Sequence, residues 1–163
     1  PVPARVISPH STPGEAGRLP VLLLPGEPEE SRPPQAQPGV EAPAGRRVLV
    51  IDDEPEICSA VTRALSPKHT VTCATSPSAA LELLRRASFD AIFCDVMMPE
   101  MSGPEFLAQL SRQSPLLAPR LAFISGGVFA PKTQQLLAGL PNPMLEKPFE
   151  LAQLRSLLAR LAA

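Results

Sequence analysis

From residue 46 onward the chain alternates two hydrophobic patterns: short unbroken apolar runs, and stretches in which apolar residues return every three or four positions. The first run, residues 48–51 (VLVI), is continuous and β-branched, as a strand buried on both faces should be. It stops at Asp52-Asp53. A helix is expected from about Pro55, where proline is tolerated in a first turn, with Ile57, Val61, Ala64 and Leu65 on one side until Ser66-Pro67 ends it. Residues 70–74 predict a second strand, and Ser76-Pro77 caps a helix whose buried stripe is Ala80, Leu81, Leu83, Leu84 and Ala87. Residues 91–96 (AIFCDV) predict a third, strongly apolar strand. After a turn rich in Pro and Gly come a third helix marked by Phe106, Leu107 and Leu110, a fourth strand at 121–124 and a fourth helix at 134–138. A short strand at 144–146 precedes an amphipathic helix carrying Leu151, Leu154, Leu157, Leu158 and Leu161. Five strand-helix units in strict alternation predict an open, doubly wound α/β domain over residues 46–163. Its sheet is five-stranded and parallel, with helices on both faces, because right-handed crossovers place successive helices that way.

The upstream pattern is different. Of 22 prolines, 11 lie before residue 45, and residues 27–44 have almost nothing apolar to bury against the entropy of ordering them. A semi-extended, Pro-rich linker is expected over residues 26–45. Fifteen Lys and Arg against 16 Asp and Glu, mixed along the chain, give none of the electrostatic footprint that a nucleic-acid or anionic-membrane binder needs. No apolar stretch approaches the roughly 20 residues of a membrane span, so neither nucleic acid nor membrane is an expected partner. Cys58, Cys73 and Cys94 form neither a disulfide framework nor a CxxC motif; they are expected to be small core residues in a reducing cytoplasm. His69, at the start of a strand, is expected at the surface. The chain starts at Pro1 with neither Met nor a signal pattern, and is expected to be a piece of something longer.

In open α/β sheets the ligand site lies outside the carboxyl ends of the strands. Here those ends carry Asp52-Asp53, Asp95, Ser125 and, after the last strand, Lys147. Three carboxylates on one rim repel one another and require a counter-charge. Oxygen ligands without a His or thiol at the same rim favour Mg2+, which sits on a few carboxylates, waters and phosphate oxygens. Phosphate is the substrate group this implies. Met97, Met98 and Met101 are expected to be loop packing beside the site.

These residues, in the segments VLVIDDEPEI, AIFCDVMMPEMSGPEF, LAFISGG and LEKPF, resemble the receiver domain of two-component response regulators, over about residues 46–163 and in that family's order. The resemblance implies a flavodoxin-like (βα)5 sandwich in which Asp95 accepts a phosphoryl group from phosphohistidine as an acyl phosphate. It also implies that Asp53, Asp95 and the backbone carbonyl of Met97 ligate Mg2+, with Asp52 holding a metal-bound water. Ser125 would hydrogen-bond the transferred phosphoryl group, and Lys147 would pair with that group or with Asp95. A cis bond at Lys147-Pro148 is expected with them. Gly126 would leave the phosphoryl group room. The implied partner is a histidine kinase or histidine phosphotransfer domain, and a homodimer is possible. Met144 stands where receivers often carry Tyr or Phe, so the usual aromatic reporter of phosphorylation is absent. The segment ARVISPHSTPGEAGRLPVLLLP, within residues 1–25, resembles the tail of a histidine-kinase ATP-binding domain, which implies the carboxyl-terminal piece of a hybrid kinase. The kinase family's glycine-rich lid and asparagine-bearing helix are absent, so ATP binding is not expected. Two other readings stay open here: a pseudo-receiver that acts only as an interaction module, and a metal-dependent phosphohydrolase, which would lack its usual Asp-x-Asp pair.

Overall fold

A computed structural model describes residues 44–163 of the chain. The expected kinase-domain remnant, nearly all of the linker and His10 lie outside the described residues. The elements are β1 (Arg47–Ile51), α1 (Pro55–Leu65), β2 (Thr70–Ala74), α2 (Pro77–Arg86), β3 (Ala91–Asp95), α3 (Gly103–Gln113), β4 (Leu121–Ser125), α4 (Pro131–Ala138), β5 (Met144–Glu146) and α5 (Leu151–Leu161). A 3-10 turn, Ala118–Arg120, leads into β4. The five strands form one parallel sheet in the order β2-β1-β3-β4-β5. This is the doubly wound order whose direction of winding reverses between β1 and β3.

The unbroken apolar runs are explained by burial on both faces. Val48 and Val50 of β1, Phe93 of β3 and Ile124 of β4 pack with α1 and α5 through Cys58, Val61, Leu65, Leu154 and Leu158. The alternate residues Leu49, Ile51, Ile92, Cys94, Leu121 and Phe123 pack with α2 and α3 through Ala80, Leu81, Phe106, Leu107 and Leu110. Two hydrophobic layers therefore clamp the three central strands, whose carboxyl ends are held rigidly as a result.

Local signals account for most helix starts. Ser76 Oγ accepts from the Ala79 N–H at 3.2 Å, and α3 opens on a capping box between Ser102 and Glu105. Differences from expectation fall at the periphery. Helix α4 starts at Pro131 rather than at 134 and has no buried residue, so its extent is set by the first-turn proline and barely by a hydrophobic stripe. In α2 only Ala80 and Leu81 of the expected stripe are fully buried, while Leu83, Leu84 and Ala87 are half-buried, because this helix covers the sheet near its β2 edge. Cys73 is exposed, not core, because β2 is an edge strand. His69 is buried rather than at the surface, since the chain turns back on α1 there, with the His69 N–H donating to the Leu65 carbonyl at 2.9 Å. Cys58 and Cys94 are buried as expected.

Candidate functional site

Register brings two distant carboxylates together. Ile51 lies opposite Cys94 in the β1-β3 ladder, so one residue later Asp52 and Asp95 leave the sheet side by side at the switch point. Both are buried. Strand β5 supplies the counter-charge. Ser125 pairs with Glu146 in the β4-β5 ladder, and the next residue, Lys147, donates its backbone N–H to the Ser125 carbonyl at 2.6 Å. The Lys147 ammonium then reaches Asp52 Oδ2 and Asp95 Oδ1, each at 2.9 Å. The Lys147-Pro148 peptide is cis.

The remaining carboxylate oxygens are also engaged. Asp52 Oδ1 accepts from the Glu54 N–H at 2.9 Å, and Asp95 Oδ2 from the Met97 N–H at 2.6 Å. Glu54 is a member of the site that sequence reading missed: its Oε1 lies 3.1 Å from the Lys147 ammonium. The available signal was its place at the N-cap of α1, one residue beyond the Asp pair. Asp53 is exposed at the same rim, outside the carboxylates that meet Lys147. Ser125 is buried at the end of β4. Met97 is exposed, while Met98 and Met101 pack against the core below the loop. Met144 is largely exposed on β5.

Three acids around one ammonium leave a net negative site, and its electrostatics show it. Burial raises the Asp95 carboxyl above its ordinary 3.8, and the neighbouring Asp52 charge adds to this; the hydrogen bonds from Lys147 and Met97 oppose it without cancelling it. Burial works to lower Lys147, but its hydrogen bonds to Asp52, Asp95 and Glu54 outweigh that and hold it above the ordinary lysine value. A carboxyl raised in the folded state contributes stability that is complete below the unfolded value and is lost as pH rises through the folded one. In metal-free protein the Asp95 carboxyl carbon is expected to titrate by NMR with a midpoint above 3.8. A midpoint at or below that value would show that Lys147 dominates.

The donor chemistry fits a hard cation. Two buried carboxylates already share one positive charge, and hard oxygen donors with open positions for water are what Mg2+ requires. Among the described residues no three Asp, Glu, His or Cys side chains stand close enough to form a closed metal cage, so water and phosphate oxygens would complete the coordination.

Close packing beneath the site fixes Asp95. A Cβ on Gly103 would lie 2.6 Å from the Asp95 backbone oxygen, and the Gly103 N–H donates to the Val96 carbonyl at 3.0 Å. Gly103→Ala is expected to cost about 1–3 kcal/mol, the usual range for overpacking, and to lower the urea midpoint. An unchanged midpoint would mean that the turn yields freely.

Sheet order and acidic cluster together define a doubly wound α/β domain with its polar site at the topological switch point. Within that class, the family model for the response regulator receiver domain matches residues 48–159, and the chain belongs to this family of two-component signalling domains. It is 33% identical over 112 residues to the transcriptional regulatory protein TcrA of Mycobacterium tuberculosis, covering 68% of this chain and 44% of that protein. It is 34% identical over 110 residues to the sensor kinase CckA of Brucella abortus, covering 66% of this chain and 11% of that one. The chain thus spans less than half of either relative. Among solved structures, the chemotaxis protein CheY4 of Vibrio cholerae superposes with a TM-score of 0.61 at 29% identity, over 72% of this chain and 99% of that one. The receiver domain of a histidine kinase from Syntrophus aciditrophicus shares the fold, with a TM-score of 0.62 at 21% identity over 72% of this chain and 90% of that one. No helix among the described residues is long and apolar enough to cross a membrane.

Proposed function

We propose that this receiver accepts a phosphoryl group from phosphohistidine onto a carboxylate oxygen of Asp95, with Mg2+ as cofactor. The observation that carries the reading is the convergence of Asp52 and Asp95 on the Lys147 ammonium from three separate strand ends. In the reaction an Asp95 oxygen forms the new bond to phosphorus as the phosphorus–nitrogen bond to imidazole breaks, and the imidazole takes a proton from solvent. Such transfers have a loose transition state, so positioning and charge neutralisation supply most of the rate. Hydrogen bonds from Lys147 and Met97 hold the Asp95 carboxylate in one orientation. Lys147 moves from carboxylate to phosphoryl oxygen as charge builds there, and the Ser125 hydroxyl donates to another phosphoryl oxygen. Asp53, Asp95 and the Met97 carbonyl would ligate Mg2+ and Asp52 would hold a metal-bound water; the ion would supply charge neutralisation at the phosphoryl oxygens. A Cβ on Gly126 would lie 3.6 Å from Lys147 Cδ, so alanine fits there and only a longer side chain would obstruct the group.

The donor is a histidine kinase or a histidine phosphotransfer domain. The match to CckA, named a sensor kinase, and to TmoS of Ectopseudomonas mendocina, named a sensor histidine kinase, supports an origin within a hybrid kinase. A Pro-rich tether would then present the receiver at high effective concentration. The test uses acetyl phosphate with Mg2+: intact mass is expected to rise by one phosphoryl group, in an alkali-labile and metal-dependent manner. A correctly folded protein that takes up nothing from acetyl phosphate or from a phosphorylated histidine domain would instead be an interaction module.

A further inference from the structure

We propose that Cys58 and Cys73 are an oxidation site: hydroperoxides convert this pair to a reversible intrachain disulfide joining α1 to β2. Strand alternation places the two residues face to face. Cys73 lies opposite Val50 in the β1-β2 ladder, and Val50 and Cys58 belong to the hydrophobic layer under α1. Cys73 therefore points to the α1 side of the sheet. On α1, Cys58 and Thr62 are one helical turn apart and both border Cys73. The Thr62 hydroxyl oxygen is 3.5 Å from Cys73 Sγ, the Cys73 thiol donates to the Cys58 carbonyl at 3.8 Å, and the Cys58 thiol donates to the Asp52 carbonyl at 3.9 Å.

The pair is divided in access and chemistry. Because β2 is an edge strand, Cys73 is open to solvent, whereas Cys58 is buried behind it. Cys73, the sulfur with access to solvent, is therefore the one that meets the oxidant. Its thiolate attacks a peroxide oxygen and the oxygen–oxygen bond breaks. The leaving oxygen is protonated to water or alcohol, and Cys73 is left as a sulfenic acid. Cys58 sulfur then attacks the Cys73 sulfur. The sulfur–sulfur bond forms, the sulfur–oxygen bond breaks, and the hydroxyl departs as water with the Cys58 proton. Two electrons pass from the thiols to the peroxide. Cys94, fully buried between β1 and β4 and also raised by burial, has no route to solvent and serves as an internal control. The pair adjoins the acidic site through Cys58, and its oxidation is measured without phosphoryl transfer.

The experiment treats the reduced full chain with hydrogen peroxide, then unfolds it and alkylates the remaining thiols. One alkylated cysteine per chain is expected, Cys94, with a mass loss of two hydrogens and a non-reduced peptide linking the segments that carry Cys58 and Cys73. Dithiothreitol should restore all three thiols. The Cys58→Ser variant is expected to lose the cross-link and to hold a Cys73 sulfenic acid that dimedone traps, while Cys94→Ser keeps the cross-link. Three alkylatable thiols after peroxide, or wild-type Cys73 passing only to sulfinic acid or to a disulfide between chains, would overturn the proposal.

Discussion

Asp95→Asn is expected to abolish phosphoryl uptake from acetyl phosphate in Mg2+ while making the metal-free protein more stable at neutral pH. The two effects have one cause. The amide keeps the shape of the side chain and removes its charge, so the nucleophilic carboxylate oxygen is lost and no acyl phosphate forms. At the same time the number of acids around the Lys147 ammonium falls from three to two. Asp95 is already held above its ordinary value by burial and by Asp52, which marks it as a group whose ionisation works against folding. Single stabilising substitutions commonly yield about 0.5–2 kcal/mol, and a gain of that order is expected in urea unfolding at pH 7. Intact-mass and unfolding measurements on the same sample check both effects. Undiminished alkali-labile phosphate on the variant would remove Asp95 from its role, and a loss of stability would show that its pairing with Lys147 outweighs its burial.

Lys147→Met is expected to act in the opposite direction on stability. The ammonium side chain is 13% exposed and joins two carboxylates whose side chains are 0% and 7% exposed. Removing one partner of a buried ion pair typically costs about 3–5 kcal/mol, because the other charge is left without compensation. The cost should be largest near neutral pH and shrink in acid, where Asp95 escapes it by taking up a proton. Lys147 supplies two of the influences that lower Asp95, so the NMR midpoint of Asp95 should move further upward in this variant. Adding Mg2+ should recover part of the lost stability, since a divalent cation would supply the missing counter-charge. Urea titrations at two pH values, with and without Mg2+, provide the comparison. Equal stability of variant and wild type at pH 7 would mean that the carboxylates do not depend on the ammonium.

Most of the fold was legible in the sequence because the central strands have no solvent-facing side. VLVI, AIFC and LAFI carry apolar residues at every position, since alternate residues of each run face opposite helical layers. Interruption of those runs by Asp52, Asp95 and Ser125 marked the rim where the sheet ends. Legibility fell where only one face is covered. Helix α4 has no buried residue to give it a period, and the β2 edge position that exposes Cys73 cannot be read from TVTCA alone. Glu54 was missed and Asp53 lies outside the Lys147 contacts because adjacent acids at the start of a helix diverge, and sequence proximity does not say which of them turns inward.

The sequence by itself determined which segments are strands, which are helices and which polar residues stand at the strand ends, since these follow from hydrophobic periodicity within short windows. Only the tertiary structure decided that β1 lies against β3 while β2 turns outward to the edge. That pairing is a non-local packing choice that sets Asp52 beside Asp95, and the further pairing of β3 with β4 and β4 with β5 brings Lys147, 52 positions after Asp95, within 2.9 Å of both.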